Sequence, residues 1–133
     1  RLTKEIKDSE GFIKTTIENR TKEVYVYGLF CKDEIIGVTG FNEYNKQNRF
    51  ASIGYWLAPT HQGLGIITNS LKILIDSVRK ELNVKRFEIR CAVENRASAA
   101  VAERLGFELE GILKAAEIVG DKVYDHKLYA KVY

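Results

Sequence analysis

Apolar and polar positions change period several times along this chain, and each change marks an element. Ile67, Leu71, Leu74, Ile75, Val78 and Leu82 follow a helical period and predict a long amphipathic helix. Phe12, Ile13 and Ile17 share that spacing, which predicts an earlier helix over Ser9 to Arg20. Val24 to Phe30 and Ile35 to Phe41 read as strands joined by a hairpin at Lys32-Asp33-Glu34, and Asn42 to Asn48 as a polar loop. Phe50 to Leu57 reads as a third strand. Phe87, Ile89, Cys91 and Val93 alternate with Glu88 and Arg90, the signature of a strand with one polar face. Ala97 to Leu105 predicts a short helix stopped by Gly106, where a left-handed residue is wanted. Phe107 to Leu113 starts another strand, and Ala115 to Val119 pairs with Val123 to Tyr133 around Gly120-Asp121. Strands interspersed with helices imply an α/β (α+β) fold, a mixed and mostly antiparallel sheet flanked by helices.

Composition narrows the class. The chain has 133 residues, which suits one domain over 1–133. Apolar residues make up 45% and charged residues 29%, an ordinary globular balance. A net charge of +3, with no long basic run, argues against direct nucleic-acid binding. Cys31 and Cys91 lack metal-ligand spacing and lie in strand-like runs, so both read as reduced and structural in a cytoplasmic protein. No apolar run approaches a membrane span, and no metal site is expected. The chain starts at Arg1 and contains no Met, so an N-terminal piece is expected to be missing.

The most informative segment is Gln62-Gly63-Leu64-Gly65-Ile66-Ile67-Thr68, lying between a strand and the long helix. Its glycines let the backbone turn tightly and approach a ligand. The loop amides and the helix N-terminus then converge on one spot suited to a diphosphate. No Gly-Lys-Ser/Thr follows, so it is no Walker A loop; Thr68 stands where a dinucleotide fingerprint needs its third glycine. Downstream, Glu94-Asn95-Arg96-Ala97-Ser98 ends the next strand. Strand ends on one edge of such a sheet bind ligands, but Asn95 reads equally as a helix cap.

Together these segments resemble the GNAT superfamily of N-acetyltransferases. The run Ile53-Gly54-Tyr55-Trp56-Leu57-Ala58-Pro59 with the glycine loop resembles its acetyl-CoA motif. Asn95 to Ser98 and Arg104 to Phe107 resemble the helix that follows. Glu110-Gly111, Ala116-Glu117 and Asp125 to Ala130 are similar to the RimJ/RimL branch, the ribosomal-protein-alanine/serine acetyltransferases. The resemblance implies a fold whose opening strand and first helix this chain does not carry. It implies that backbone groups of Tyr55, Trp56 and Leu57 pair with the pantetheine arm, and that the Leu57 N–H polarises the thioester carbonyl. The amides of Gly63 to Ile67, beside Gln62, would hold the pyrophosphate, and Asn95 would contact the pantetheine. Ile67 is bulkier than the small residue usual at the motif's end. The tyrosine that many members use as general acid falls at Ala102, which leaves the hydroxyl of Ser98 as the substitute.

Acetyl transfer to an amine needs a proton acceptor, donors for the developing oxyanion, and a proton or dipole for the departing thiolate. An α-amine has a pKa near 8 and a lysine near 10.4, so deprotonating the lysine costs about 3 kcal/mol more. A protein N-terminus therefore needs only a modest base. Glu117 interrupts the apolar run Ala115 to Val119, where a carboxylate is costly without a purpose; it is the candidate base and matches the glutamate proposed for the branch. Asp125 and His126 lie opposite and are candidates to orient substrate. Tyr25, Tyr27 and Tyr44 are candidates to line the acceptor groove, while His61 reads as a surface residue. The leading expectation is an acetyl-CoA-dependent transferase acting on a (ribosomal) protein N-terminus, as a monomer or homodimer. A polyamine or aminoglycoside acetyltransferase and a non-catalytic CoA-binding module are the alternatives. Glu43 is nearly alone as an acidic residue near the expected groove, which ranks the small amines lower.

Overall fold

The computed structural model describes residues 2–8, 11–17, 25–31, 34–57 and 65–133. The strands are β1 (Leu2–Asp8), β2 (Gly11–Ile17), β3 (Tyr25–Cys31), β4 (Glu34–Asn45), β5 (Phe50–Leu57), β6 (Arg86–Ala92), β7 (Glu108–Val119) and β8 (Lys122–Val132). Helix α1 (Ile66–Leu82) joins the sheet between β5 and β6, and α2 (Arg96–Arg104) between β6 and β7. The strands form one sheet in the order β1-β2-β3-β4-β5-β6-β8-β7. Neighbours are antiparallel except for β5 and β6, which run parallel. The expected mixed, mostly antiparallel sheet is therefore observed.

Two local expectations differ from the structure. Gly11–Ile17, predicted as part of a helix, is a strand paired with both β1 and β3. Its β-branched Ile13, Thr15, Thr16 and Ile17 lose rotamer freedom in a helix and suit a strand, so cross-strand pairing overrides the spacing. Residues 42–45, read as a loop, continue β4. A bulge at Asn42, between Phe41 and Glu43, lets the strand pass a polar position and still bury Tyr44, whose hydroxyl donates to the Leu82 carbonyl at 3.2 Å.

One cluster forms the core. The predicted stripe of α1 buries Ile67, Leu71, Leu74, Ile75 and Val78 against Phe41, Ala51, Ile53, Phe87 and Ile89 of the sheet. Helix α2 adds Ala99 and Ala102 to the same cluster. The alternation in β6 is kept: Phe87, Ile89 and Cys91 face the cluster, while Arg90 is exposed. Glu88, on the polar side, is buried beneath Arg86 at 3.0 Å and Arg90 at 3.6 Å. Arg86 also makes a bidentate pair with Glu110 and holds that carboxyl below the usual carboxylate range. Gly106 ends the turn after α2 at φ 83°, the left-handed conformation its position predicts.

Candidate active site

The parallel pairing of β5 with β6 stops after Ile53↔Ile89. Beyond it Gly54–Leu57 stays paired with β4, and Arg90–Ala92 with β8. The facing edges of β5 and β6 splay apart, leaving main-chain donors and acceptors turned into the gap. A cleft of about 450 Å³ fills the splay. It lies at the C-terminal ends of the parallel pair, the edge where such sheets bind ligands.

Each wall has a distinct origin. Gly54 and Tyr55 come from β5, Arg90 and Cys91 from β6, and Asn95 and Ser98 from the start of α2. The β7–β8 hairpin supplies Glu117 and His126, and the β4 bulge supplies Asn42. Tyr55 is partly buried; its hydroxyl donates to the Ser98 carbonyl at 3.3 Å, and burial pushes the phenol pKa upward. Burial likewise raises the Cys91 thiol, which is free. Asn95 caps α2, its Oδ1 accepting the Ser98 N–H at 3.1 Å. The capping role is thus observed, and the same residue lines the cleft.

Glu117 is half exposed, with 49% of its side chain accessible, so solvent offsets much of the cost of placing a carboxylate in an apolar run. The β7–β8 hairpin extends past the core, so the apolar run around it is solvent-facing: Ile118 and Val119 are 70% and 56% exposed. What holds the carboxylate is His126, whose Nε2 lies 3.1 Å from Oε1.

The N-terminus of α1 follows the glycine loop in sequence. Gly65 adopts φ 74°, and its carbonyl accepts the Asn69 N–H at 3.0 Å. Among the described residues no side chain caps this end, and no acidic residue occupies the first turn, so the positive end of the helix dipole suits an anion. Ile66 and Ile67 bury their side chains in the core, at 3% and 6% exposure, so the bulk at Ile67 is taken up by core packing.

Five predicted residues, Tyr55, Asn95, Ser98, Glu117 and His126, thus meet in one cleft. Trp56 and Leu57 lie on the splayed part of β5 by their backbone pairing with Val38 and Gly37. His61, Gln62, Gly63 and Leu64 lie outside the described residues, as do the side chains of Tyr25 and Tyr27. Tyr44 packs in the core and is not among the residues lining this cleft. Ala102 is wholly buried, carries no proton donor and does not line the cleft. Asn42, Arg90 and Cys91 are lining residues that sequence reasoning missed. The one available signal was Gly54: a glycine inside a strand marks a close approach, here that of Asn42.

The sequence profile of the acetyltransferase (GNAT) domain matches residues 2–108. The chain belongs to the GNAT acetyltransferase family. Among its GNAT relatives, the ribosomal-protein-serine acetyltransferase of Escherichia coli K12 is 45% identical over 107 residues, covering 80% of this chain and 60% of that protein. A solved structure of RimL, the ribosomal L7/L12 α-N-protein acetyltransferase, in complex with coenzyme A superposes with a TM-score of 0.79 at 40% identity. It covers 82% of this chain and 62% of RimL. The microcin C7 self-immunity acetyltransferase MccE, solved with acetyl-CoA and AMP, gives a TM-score of 0.82 at 41% identity, covering 88% of this chain and 65% of MccE. This GNAT chain therefore spans less than two-thirds of the length of these relatives.

Proposed function

We propose that this chain is the catalytic portion of an acetyl-CoA-dependent N-acetyltransferase whose acceptor is a protein N-terminal α-amine, in particular that of a ribosomal protein. The observation that carries the reading is the convergence of Tyr55, Asn95, Ser98 and Glu117 on one cleft between splayed parallel strands. The relatives' own acceptors, a ribosomal-protein serine and the α-amine of L7/L12, support the choice of amine.

In this reading acetyl-CoA lies with its pyrophosphate at the N-terminus of α1, on the amides of Gly63 to Ile67 beside Gln62. Its pantetheine arm extends the sheet along Tyr55, Trp56 and Leu57, with Asn95 on the far side. The acceptor amine enters from the β7–β8 side, and Glu117 takes its proton, directly or through water. The amine nitrogen then bonds to the acetyl carbon, the carbon–sulfur bond breaks, and the Ser98 hydroxyl donates to the departing thiolate. Ser98→Ala should therefore lower turnover more than it weakens CoA binding. The free Cys91 thiol and the absence, among the described residues, of any helix long and apolar enough to cross a membrane fit a cytoplasmic setting.

The deciding experiment measures CoA release with peptides beginning in Ser, Ala or Met, and with spermidine and an aminoglycoside. The fastest turnover is expected with Ser or Ala peptides. Faster turnover with the small amines overturns the acceptor assignment. CoA binding without turnover on any amine makes the chain a binding module.

A further inference from the structure

Strand β7 does not run evenly beside β8. Leu113 pairs with His126, and the next pair is Glu117 with Tyr124. Four steps along β7 therefore match two along β8, so β7 carries two extra residues between these pairs. An even register would set Glu117 opposite Lys122, two residues further toward the hairpin tip. At about 3.3 Å per residue, the irregularity draws Glu117 back toward the cleft by roughly 6–7 Å. It becomes a diagonal neighbour of His126, within side-chain reach, and the two side chains meet at 3.1 Å.

The extra length is taken up at Ala115, which adopts φ 51°, the left-handed region that a residue with a Cβ avoids. Such a conformation persists only when its surroundings over-determine it. Here the surroundings include Asp125: its Oδ1 accepts the Ala115 N–H at 2.8 Å. Asp125 is itself tied to the end of β6, because its carbonyl accepts the N–H of Val93, the residue after Ala92, at 3.0 Å. A continuous chain of bonds thus runs from β6, through Asp125, to the bulge that carries Glu117.

We infer that Asp125 is a positioning residue for the reaction: its carboxylate clamps the β7 bulge and so places the Glu117 carboxylate in the cleft. Its task is different from the substrate contact that its place opposite Glu117 in the sequence suggests. The inference rests on Glu117 as proton acceptor. What the clamp requires is a short side chain with an acceptor oxygen at this distance, and negative charge is secondary.

The test compares three substitutions in the chain, with an acceptor peptide that it turns over. Asp125→Ala removes the acceptor oxygen and should lower kcat by about 10- to 100-fold, the loss expected for a catalytic group displaced by an ångström or so. KM for acetyl-CoA should stay within about twofold. Asp125→Asn keeps an oxygen in place and should retain most of kcat. Asp125→Glu keeps the charge but moves it by a methylene, and should fall near the Ala variant. Asp125→Ala added to Glu117→Gln should cause little further loss, because the clamp acts through Glu117. Wild-type kcat in Asp125→Ala, or an active Glu variant beside an inactive Asn variant, overturns the inference. If Asp125→Ala does not fold, the Asn and Glu pair decides alone. Full activity in Glu117→Gln alone instead overturns the choice of base, which separates the two failures.

Discussion

The hydroxyl of Tyr55 donates to the main-chain carbonyl of Ser98 at 3.3 Å and so staples β5 to α2, both of which line the cleft. The contact links the strand expected to carry the pantetheine arm to the helix that presents Ser98. Tyr55→Phe removes the hydrogen bond and leaves the ring packing. It should destabilise the fold by about 1 kcal/mol, a drop of a few degrees in Tm, read by thermal unfolding. The pH dependence has a definite sign. Burial, the largest cause, raises the folded-state pKa of Tyr55 above its ordinary value of 10.0. That contribution is fully present below about pH 10 and is lost as pH rises through the folded value. Stability should therefore fall on the alkaline side, less steeply in Tyr55→Phe. An identical alkaline limb in both proteins would assign it to other tyrosines, such as Tyr129, which burial also raises.

Glu117→Gln keeps the shape of the side chain and removes its basicity. Turnover at neutral pH should drop by about 10²–10⁴-fold, with acetyl-CoA affinity unchanged. Raising the pH should restore part of the rate, since more of the acceptor amine is then already deprotonated. A steady-state pH profile reads both effects. A variant as fast as the wild type at pH 7 would leave a substrate-held water, or His126, as the next acceptor.

Gly65 offers a way to separate strain from ligand contact. Among the described residues, the atom nearest a Cβ there is Asn69 Nδ2, at 3.8 Å, and φ 74° disfavours any side chain. Gly65→Ala should cost about 1 kcal/mol of stability and also weaken CoA binding, measured by calorimetry on the folded variant. Unchanged CoA affinity would remove the start of α1 from the pyrophosphate site.

Asn42 and Gly54 form a second pair with a direct consequence. A Cβ on Gly54 would lie 2.6 Å from Asn42 Nδ2 and 3.0 Å from Oδ1, so Gly54→Ala must displace the carboxamide that lines the cleft. If that carboxamide helps seat the acceptor, KM for the peptide should rise several-fold and KM for acetyl-CoA should not. Asn42→Ala should match the effect. Equal KM values in all three proteins would confine Asn42 to a structural role.

Much of this fold was legible because local chemistry and final environment agree. The stripe from Ile67 to Val78 is the buried face of α1, and Gly106 takes the left-handed turn its place demands. The glycine loop, Ser98 and Glu117 were recognisable by residue type and order. Gly11–Ile17 was misread because its helical spacing is short and its β-branched residues pair on both sides. The core packing of Tyr44 was not legible for a related reason: the bulge at Asn42 turns it into the core, and no periodicity announces a bulge.

What the sequence determined by itself is the order of elements from β5 onward and the inventory of candidate chemistry: a strand, a glycine loop and a helix, then a hydroxyl and a carboxylate further on. Tertiary structure decided how they meet. The end of pairing at Ile53↔Ile89 opens the cleft, and the irregularity between Leu113 and Glu117 brings the carboxylate to it. Both are matters of register. Register arises from which strands pair and where the pairing stops, an energy shared between distant segments that no single segment encodes.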